Sequence, residues 1–155
     1  MRCANTSGFQ WRPMNPELAP LAILWSLVTG HPDAWRLKAY ADSTHVPAVI
    51  AWAVPWQESR HNINPRLRGK HGEWGRFQVM PSTARAICPT LDIRTYEGNV
   101  MCGLRYLRRQ FEARGTWEAA VRAYQCPRCT QRTEYERSVM EMVGRFTSRL
   151  MGVVP

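Results

Sequence analysis

Apolar residues recur along most of this chain at the three- to four-residue spacing of an amphipathic α-helix. The pattern, with the proline, glycine and threonine residues that punctuate it, predicts seven helices. The first five are predicted over residues 16–28, 33–41, 47–58, 81–87 and 96–113. The sixth is capped by Thr116 and runs through Tyr124, and the seventh carries an apolar stripe from Tyr135 to Leu150. No segment shows the alternation of a half-buried strand. The sequence therefore predicts a single, mainly α domain.

The helix predicted over 47–58 is apolar on every side from Ala48 to Val54, so we expect it to be central and buried. Pro47 suits its first turn, whereas Pro55 removes a backbone hydrogen bond and is expected to kink or loosen its last turn. Glu58 closes this helix, and a polar loop rich in arginine, asparagine, glycine and histidine follows over residues 59–75. We expect the two histidines of this loop, His61 and His71, to be exposed.

Glu58 is the carboxylate that its position singles out. Apolar neighbours and the negative end of the helix dipole both disfavour its charged form, which would keep it protonated nearer neutral pH. A general acid that protonates a glycosidic oxygen needs this property. The plainer interpretation is a helix-terminal glutamate that pairs with Arg60 or another loop arginine, and position alone favours it.

Charge narrows the classes of partner without choosing among them. The 155 residues carry 21 Lys and Arg against 12 Asp and Glu, a net charge of +9, which attracts polyanions such as nucleic acid, anionic membranes and bacterial wall polymers. Scattered basic residues and the lack of a recognisable motif argue against specific nucleic-acid binding. The most apolar stretch, residues 18–28, has about half of the ~20 residues of a membrane span. We expect no transmembrane segment and find no convincing signal peptide.

The cysteines fit disulfides better than a metal site. Cys126 and Cys129 have CxxC spacing, but a zinc ribbon needs a second such pair, so we expect no metal and no cofactor. Disulfides are expected if the protein works outside the cytoplasm. Four cysteines are expected to form these disulfides, and the sequence leaves their pairing open: Cys88, Cys102, Cys126 and Cys129. Cys3 would then have no partner.

Five segments in a fixed order carry a family resemblance over roughly two thirds of the chain. They are Glu58-Ser59, the glycine-flanked run 72–84, the segment 99–107, Ala123-Tyr124-Gln125 and Thr133-Glu134-Tyr135. Together they resemble the catalytic domain of the soluble lytic transglycosylases, relatives of goose-type lysozyme in the lysozyme-like superfamily. The resemblance implies a lysozyme-like catalytic domain over 36–150, preceded by an N-terminal helical extension over 1–35.

The resemblance also implies an activity. Lytic transglycosylases cleave the β-1,4 bond between N-acetylmuramic acid and N-acetylglucosamine in peptidoglycan without consuming water. Most glycosidases need two carboxylates, but here the muramic acid 6-hydroxyl attacks, so Glu58 alone can act first as acid and then as base, leaving a 1,6-anhydro end. The same resemblance implies that five residues bind sugar or orient Glu58: Ser59, Gln78, Tyr124, Gln125 and Tyr135. It also implies that the aromatic rings of Phe77 and Trp74 stack on sugar rings.

The sequence departs from the family pattern at several places. Arg76-Phe77 stands where the family has Leu-Met, and the loop after Glu58 is about two residues longer than usual. Gln125 replaces an asparagine; it keeps the amide but reaches one methylene further, so we expect a retuned contact rather than a lost one.

Two other functions stay open, and location is a separate inference. A goose-type hydrolase on the same fold would need a water-activating carboxylate such as Glu73 or Asp92. The other is a non-catalytic protein that binds the wall or has a structural role in a virion, and the replacement of asparagine by Gln125 is the observation that favours it.

The substrate lies outside the inner membrane, and no export signal is evident. We therefore expect a bacteriophage enzyme that is either packaged in the virion with other virion proteins or released through a holin at lysis, and we favour the virion.

Overall fold

The structure is a computed structural model that describes residues 25–26 and 29–153. Six helices follow one another in this part of the chain: α1 (Ala34–Ser43), α2 (Ala48–Ser59), α3 (Pro81–Ile87), α4 (Tyr96–Arg114), α5 (Trp117–Gln125) and α6 (Glu134–Val153). The same residues contain no strand, only isolated bridges that pair Trp74 with Arg68 and with Val79. The prediction of a mainly α domain is confirmed.

Six of the predicted helices form, with ends that differ from the prediction by at most three residues, as helix ends commonly do. Thr116 caps α5 as expected, since its side chain accepts a hydrogen bond from the Ala119 amide. Trp25 and Ser26 are helical. The rest of the helix predicted over 16–28 lies almost wholly outside the described residues.

The central helix is α2, as its apolar sequence predicts. Every residue from Ile50 to Pro55 is buried, and the helix packs between α1 and α6. The helix continues through Pro55 to Ser59 and ends at Arg60, which adopts a left-handed conformation at φ +53°. Glu58 is thereby held in the last turn of the most buried helix.

Residues before position 36 belong to the same core. Trp25 and Ala34 are 6% and 0% exposed and lie in the apolar cluster that α2, α4 and α6 build. The boundary predicted between an extension over 1–35 and a domain over 36–150 stays a prediction. Within residues 25–26 and 29–153, no helix has the length and apolar character that crossing a membrane requires.

Two disulfides join four of the five cysteines. Cys88, at the end of α3, is bonded to Cys102 in α4, and Cys126 is bonded to Cys129 in the loop between α5 and α6. The first bond is buried in the core, and the second closes a short turn directly after Gln125. Cys3 lies outside the described residues.

Candidate active site

Glu58 meets the first turn of α6 at the end of α2. The Tyr135 hydroxyl donates a hydrogen bond to Oε1 of Glu58 at 2.5 Å. Burial raises the pKa of Glu58 to about 7; the Tyr135 hydrogen bond opposes this shift, and the negative charge of Glu73 adds to it. The pairing with Arg60 is not seen, because that guanidinium donates to the Trp56 carbonyl and lies over the Trp56 ring. Glu58 is thus a half-buried carboxyl with no cation among the described residues to hold its charge.

Two tyrosines surround this carboxyl as neutral donors. Tyr124, in α5, donates its hydroxyl proton to the Phe77 carbonyl at 2.7 Å. Burial raises the pKa of Tyr124 and of Tyr135 well above the ordinary value, and the negative charge of Glu58 acts in the same direction. The three side chains are therefore within electrostatic reach of one another, although they come from three helices.

Residues 72–79, here called the motif segment, lie against the end of α2. The Ser59 hydroxyl donates to the Arg76 carbonyl at 2.8 Å and approaches the Pro55 carbonyl at 3.2 Å. Within the segment, the amides of Trp74 and Val79 each donate to the other's carbonyl. Ser59 therefore ties the catalytic turn of α2 to the motif segment. Because its proton is already donated, any contact that its hydroxyl makes with sugar would use the oxygen as an acceptor.

Gln78 lies at the bend of the motif segment in a strained backbone conformation. Its φ is +46°, a region that residues other than glycine rarely adopt and that is concentrated at functional sites. Its side-chain amide donates to the Gly75 carbonyl at 2.6 Å, and its Oε1 lies beside Gly69, next to the Glu73 carboxylate. The bend thus presents an amide and a carboxylate side by side.

The Phe77 side chain is not a sugar-stacking face, and that expectation is wrong. It is 0% exposed, because Gly103 leaves a slot in α4 where a Cβ would lie 2.4 Å from the ring. Asn99 fixes the same residues from α4: it accepts a hydrogen bond from the Phe77 amide at 2.8 Å and donates to the Trp74 carbonyl at 2.6 Å. Phe77 therefore anchors the segment, and Asn99 is a positioning residue to which the sequence assigned no role.

The remaining predicted positions lie at the rim. Gln125 is exposed as the last residue of α5. Trp74 is half-buried, and the Arg68 guanidinium covers one of its faces at 4.1 Å. Asp92 is exposed and bound to Arg94, so Glu73 is the only one of the two suggested second carboxylates that affects Glu58. Among the described residues, no group of three His, Cys, Asp or Glu side chains could hold a metal ion.

Sequence reasoning missed a buried charged cluster next to this site. Arg76 is 1% exposed, forms an ion pair with Asp33, and donates to the Tyr96 hydroxyl at 3.0 Å and to Nδ1 of His61 at 2.8 Å. His61 is 3% exposed, so its predicted exposure is wrong, whereas His71 is exposed as predicted. Burial and the charge of Arg76 lower the pKa of His61 to about 2, which keeps it a neutral acceptor. The sequence feature that could have indicated this cluster is the charged residue at position 76, where the family has an apolar one.

The family itself follows from a direct comparison. The family model described as the transglycosylase SLT domain matches residues 36–139, more than half of the chain. The chain belongs to the transglycosylase SLT family. It is a peptidoglycan lytic transglycosylase, and the resemblance seen in the sequence is confirmed. No curated protein was found to match the sequence.

The transglycosylase domain contains every residue of the site described above. Glu58, the motif segment, Tyr124 and Tyr135 all fall within 36–139. Asp33, which neutralises the buried Arg76, precedes the matched residues. The charged cluster therefore joins the family domain to the chain before it.

Proposed function

We propose that this transglycosylase cleaves the β-1,4 bond between N-acetylmuramic acid and N-acetylglucosamine and leaves 1,6-anhydro-muramic ends, with Glu58 as its catalytic acid and base. One observation carries the proposal: Glu58 is largely withdrawn from water with no cationic partner among the described residues, and its pKa is raised to about 7. A carboxyl with that pKa is protonated in a substantial fraction of molecules near neutral pH, and its conjugate base is strong enough to take the proton back.

The first step is proton transfer to the leaving group. The Glu58 carboxyl gives its proton to the glycosidic oxygen, the bond from muramic acid C1 to that oxygen breaks, and the electron pair leaves with the N-acetylglucosamine 4-oxygen. Positive charge develops at C1, as in other glycosidic cleavages. The Tyr135 hydroxyl, which donates to Oε1 of Glu58, stabilises the carboxylate that remains.

The second step returns the proton. The muramic acid 6-hydroxyl oxygen bonds to C1, and its proton passes to the Glu58 carboxylate. The enzyme is then back in its starting protonation state, and no water has been consumed. We include Ser59, Gln78, Tyr124, Gln125 and Tyr135 in the proposal as groups that contact sugar or orient Glu58.

Hydrolysis is the second candidate, because the charge of Glu73 acts on Glu58. A water activated by Glu73 would replace the 6-hydroxyl as the attacking group. Mass spectrometry of muropeptides released from purified peptidoglycan distinguishes the two. We expect anhydro-muramic products from the wild type and none from Glu58→Gln; reducing-end products, one water heavier, would establish hydrolysis, and no product from folded wild type would favour a binding or structural role.

We further propose that the enzyme is carried in a bacteriophage virion and opens the host wall locally, with release at lysis as the other phage route. The net charge of +9 supports action at an anionic wall. The phage origin is supported by the sequence analysis, in which no export signal is evident although the substrate lies outside the inner membrane. Mass spectrometry of purified particles tests the location. Peptides of this chain in particles support it, and their absence from particles of a phage that encodes the chain would contradict it.

A further inference from the structure

Four of the 21 Lys and Arg residues of the chain lie together in the loop that follows the catalytic glutamate. The basic loop, residues 60–71, contains Arg60, Arg66, Arg68 and Lys70 and no Asp or Glu, so it carries +4 of the net +9. All four side chains are exposed. So high a density of one sign raises the local concentration of anions around it.

None of the four cations of this loop forms an ion pair with a carboxylate in the part of the chain that the structure describes. On the helices, several arginines have acidic partners, as in Arg36–Glu97, Arg108–Glu112 and Arg145–Glu141, although Arg105 and Arg109 of α4 form no ion pair among the described residues. The basic loop has no such ion pair, and Arg68 instead lies over the Trp74 ring at 4.1 Å. Its charge is therefore available to an external anion.

The loop also borders the active site. It begins directly after Glu58-Ser59, and Arg68 is bridged to Trp74, which is bridged in turn to Val79. At its far end Gly69 lies against the side chains of Glu73 and Gln78, so closely that a Cβ at position 69 would be 2.4 Å from Oε1 of Gln78. A strand bound across Gln78 and Glu58 therefore passes beside these cations.

We propose that the basic loop binds the carboxylates of the peptides that branch from muramic acid, so that the enzyme prefers glycan whose peptides retain their charge. The inference rests on the proposed function for the identity of the strand. The acetylated sugars of such a strand are uncharged, and its lactyl carboxyl is consumed in the amide bond to the peptide. The free carboxylates lie on the peptides, which are thus the anions nearest to a bound glycan.

The test uses soluble, uncross-linked glycan strands that carry their peptides and are free of other wall polymers. One half of the pool is left unchanged, and in the other half a carbodiimide couples the peptide carboxylates to ammonia. Amidation removes the negative charges of the carboxylates and keeps the peptide. The loop variant is Arg66→Gln/Lys70→Gln. The matched control is Arg105→Gln/Arg109→Gln, two exposed arginines of α4, which makes the same change in net charge. Initial cleavage rates give kcat and KM for each protein on each strand, and mass spectrometry identifies the ends.

We expect the KM of the wild type to be about fivefold lower on the carboxylate strands than on the amidated strands, because two exposed ion pairs supply a factor of about that size. The kcat should be the same on both strands. The loop variant should lose this preference and match the wild type on amidated strands, while the control keeps it. High salt should remove the preference of the wild type.

Three results would overturn the proposal. These are a wild type that treats both strands alike, a loop variant that keeps the preference, and a control that loses it equally, which would show that overall charge attracts the strand. Failure of the proposed function is seen separately. Reducing ends in place of anhydro ends would contradict the transglycosylase reaction, yet the KM comparison would still decide the role of the loop.

Discussion

Asp33 and Glu58 are both carboxylates withdrawn from water, yet their surroundings have opposite effects. Burial alone would raise the pKa of Asp33, but hydrogen bonds from Tyr96 and Arg76 and the charge of Arg76 outweigh it, and the pKa is lowered. Burial raises the pKa of Glu58 to about 7. Its hydrogen-bond donor, Tyr135, is neutral, and the negative charge of Glu73 adds to the shift. The two sites lie close in the fold, since Ser59 bonds the Arg76 carbonyl.

Asp33 is therefore a structural carboxylate, whereas Glu58 is a reactive one. A buried carboxylate with an arginine partner stays ionised and holds two segments together, and its loss leaves an uncompensated charge. A buried carboxyl without a cation exchanges its proton near neutral pH, as an acid–base catalyst must. Five predictions test this division.

The largest effect is expected for Glu58→Gln. The amide cannot give or take the proton, so kcat should fall about a hundredfold to ten-thousandfold, the usual contribution of general acid–base catalysis. Anhydro-muropeptide release measures it, with circular dichroism as the control for folding. Activity above about a tenth of the wild type would mean that another group supplies the proton.

Asp33→Asn should act on stability instead. It leaves the Arg76 charge buried without a counter-ion, so the unfolding free energy should fall by about 3 to 5 kcal/mol in urea denaturation. The double variant Asp33→Leu/Arg76→Leu should recover a large part of the loss, because it removes both charges. Glu97→Gln, which breaks the exposed pair with Arg36, is the matched control and should cost less than about 1 kcal/mol. Equal losses for Asp33→Asn and Glu97→Gln would show that burial of the pair has no energetic consequence.

The raised pKa of Glu58 predicts a pH-dependent stability. The folded state binds this proton more tightly than the unfolded state, in which the pKa is near 4.5. The contribution of Glu58 to stability is therefore full below pH 4.5 and is lost as pH rises toward 7. The loss should be about 3 kcal/mol between those values, and Glu58→Gln should lack this component. Thermal or urea unfolding at several pH values measures it. Parallel pH–stability curves for the two proteins would contradict the shift.

Tyr135→Phe should lower kcat about tenfold, since it removes a hydrogen bond to a buried carboxyl. Because that bond lowers the pKa of Glu58, its loss should move the basic limb of the pH–rate profile to higher pH. The control is Tyr106→Phe, whose hydroxyl is 3.5 Å from the Ala123 carbonyl, and it should change the rate less than about twofold. A basic limb that moves to lower pH would show that the Tyr135 hydroxyl does not stabilise the carboxylate.

Glu73→Gln should have the smallest effect. Its charge raises the pKa of Glu58, so the variant should move the basic limb to lower pH and leave the rate on the acidic side of that limb unchanged. Asp92→Asn, at an exposed carboxylate bound to Arg94, should leave the profile unchanged. A rate that collapses at every pH would instead identify Glu73 as a base that activates water.

The helices were predictable because their signals are local. The all-apolar run of α2, the Thr116 cap and the stripe of α6 each lie within one element, where periodicity and capping act directly. Tyr135 and Glu58 were placed in one site by the family resemblance, although 77 positions separate them. Periodicity alone would have left that tyrosine as a core residue.

The positions that failed depend on contacts between distant segments. Phe77 is buried because Gly103 opens a slot in another helix, and nothing near Phe77 in the sequence indicates that slot. His61 is buried because Arg76 and Asp33 together form a partly neutralised cluster from three segments. Residues that appear polar and loop-like by sequence are buried when their partners are supplied elsewhere in the chain.

The most direct measurement is a carbon-13 NMR titration of the glutamate and aspartate side-chain carboxyls, with Glu58→Gln used to assign the Glu58 signal. We expect Glu58 to titrate with a pKa of about 7 and Asp33 to titrate below its ordinary 3.8. A Glu58 signal that titrates near its ordinary 4.5 would contradict the claim that burial without a cation prepares this residue to donate its proton.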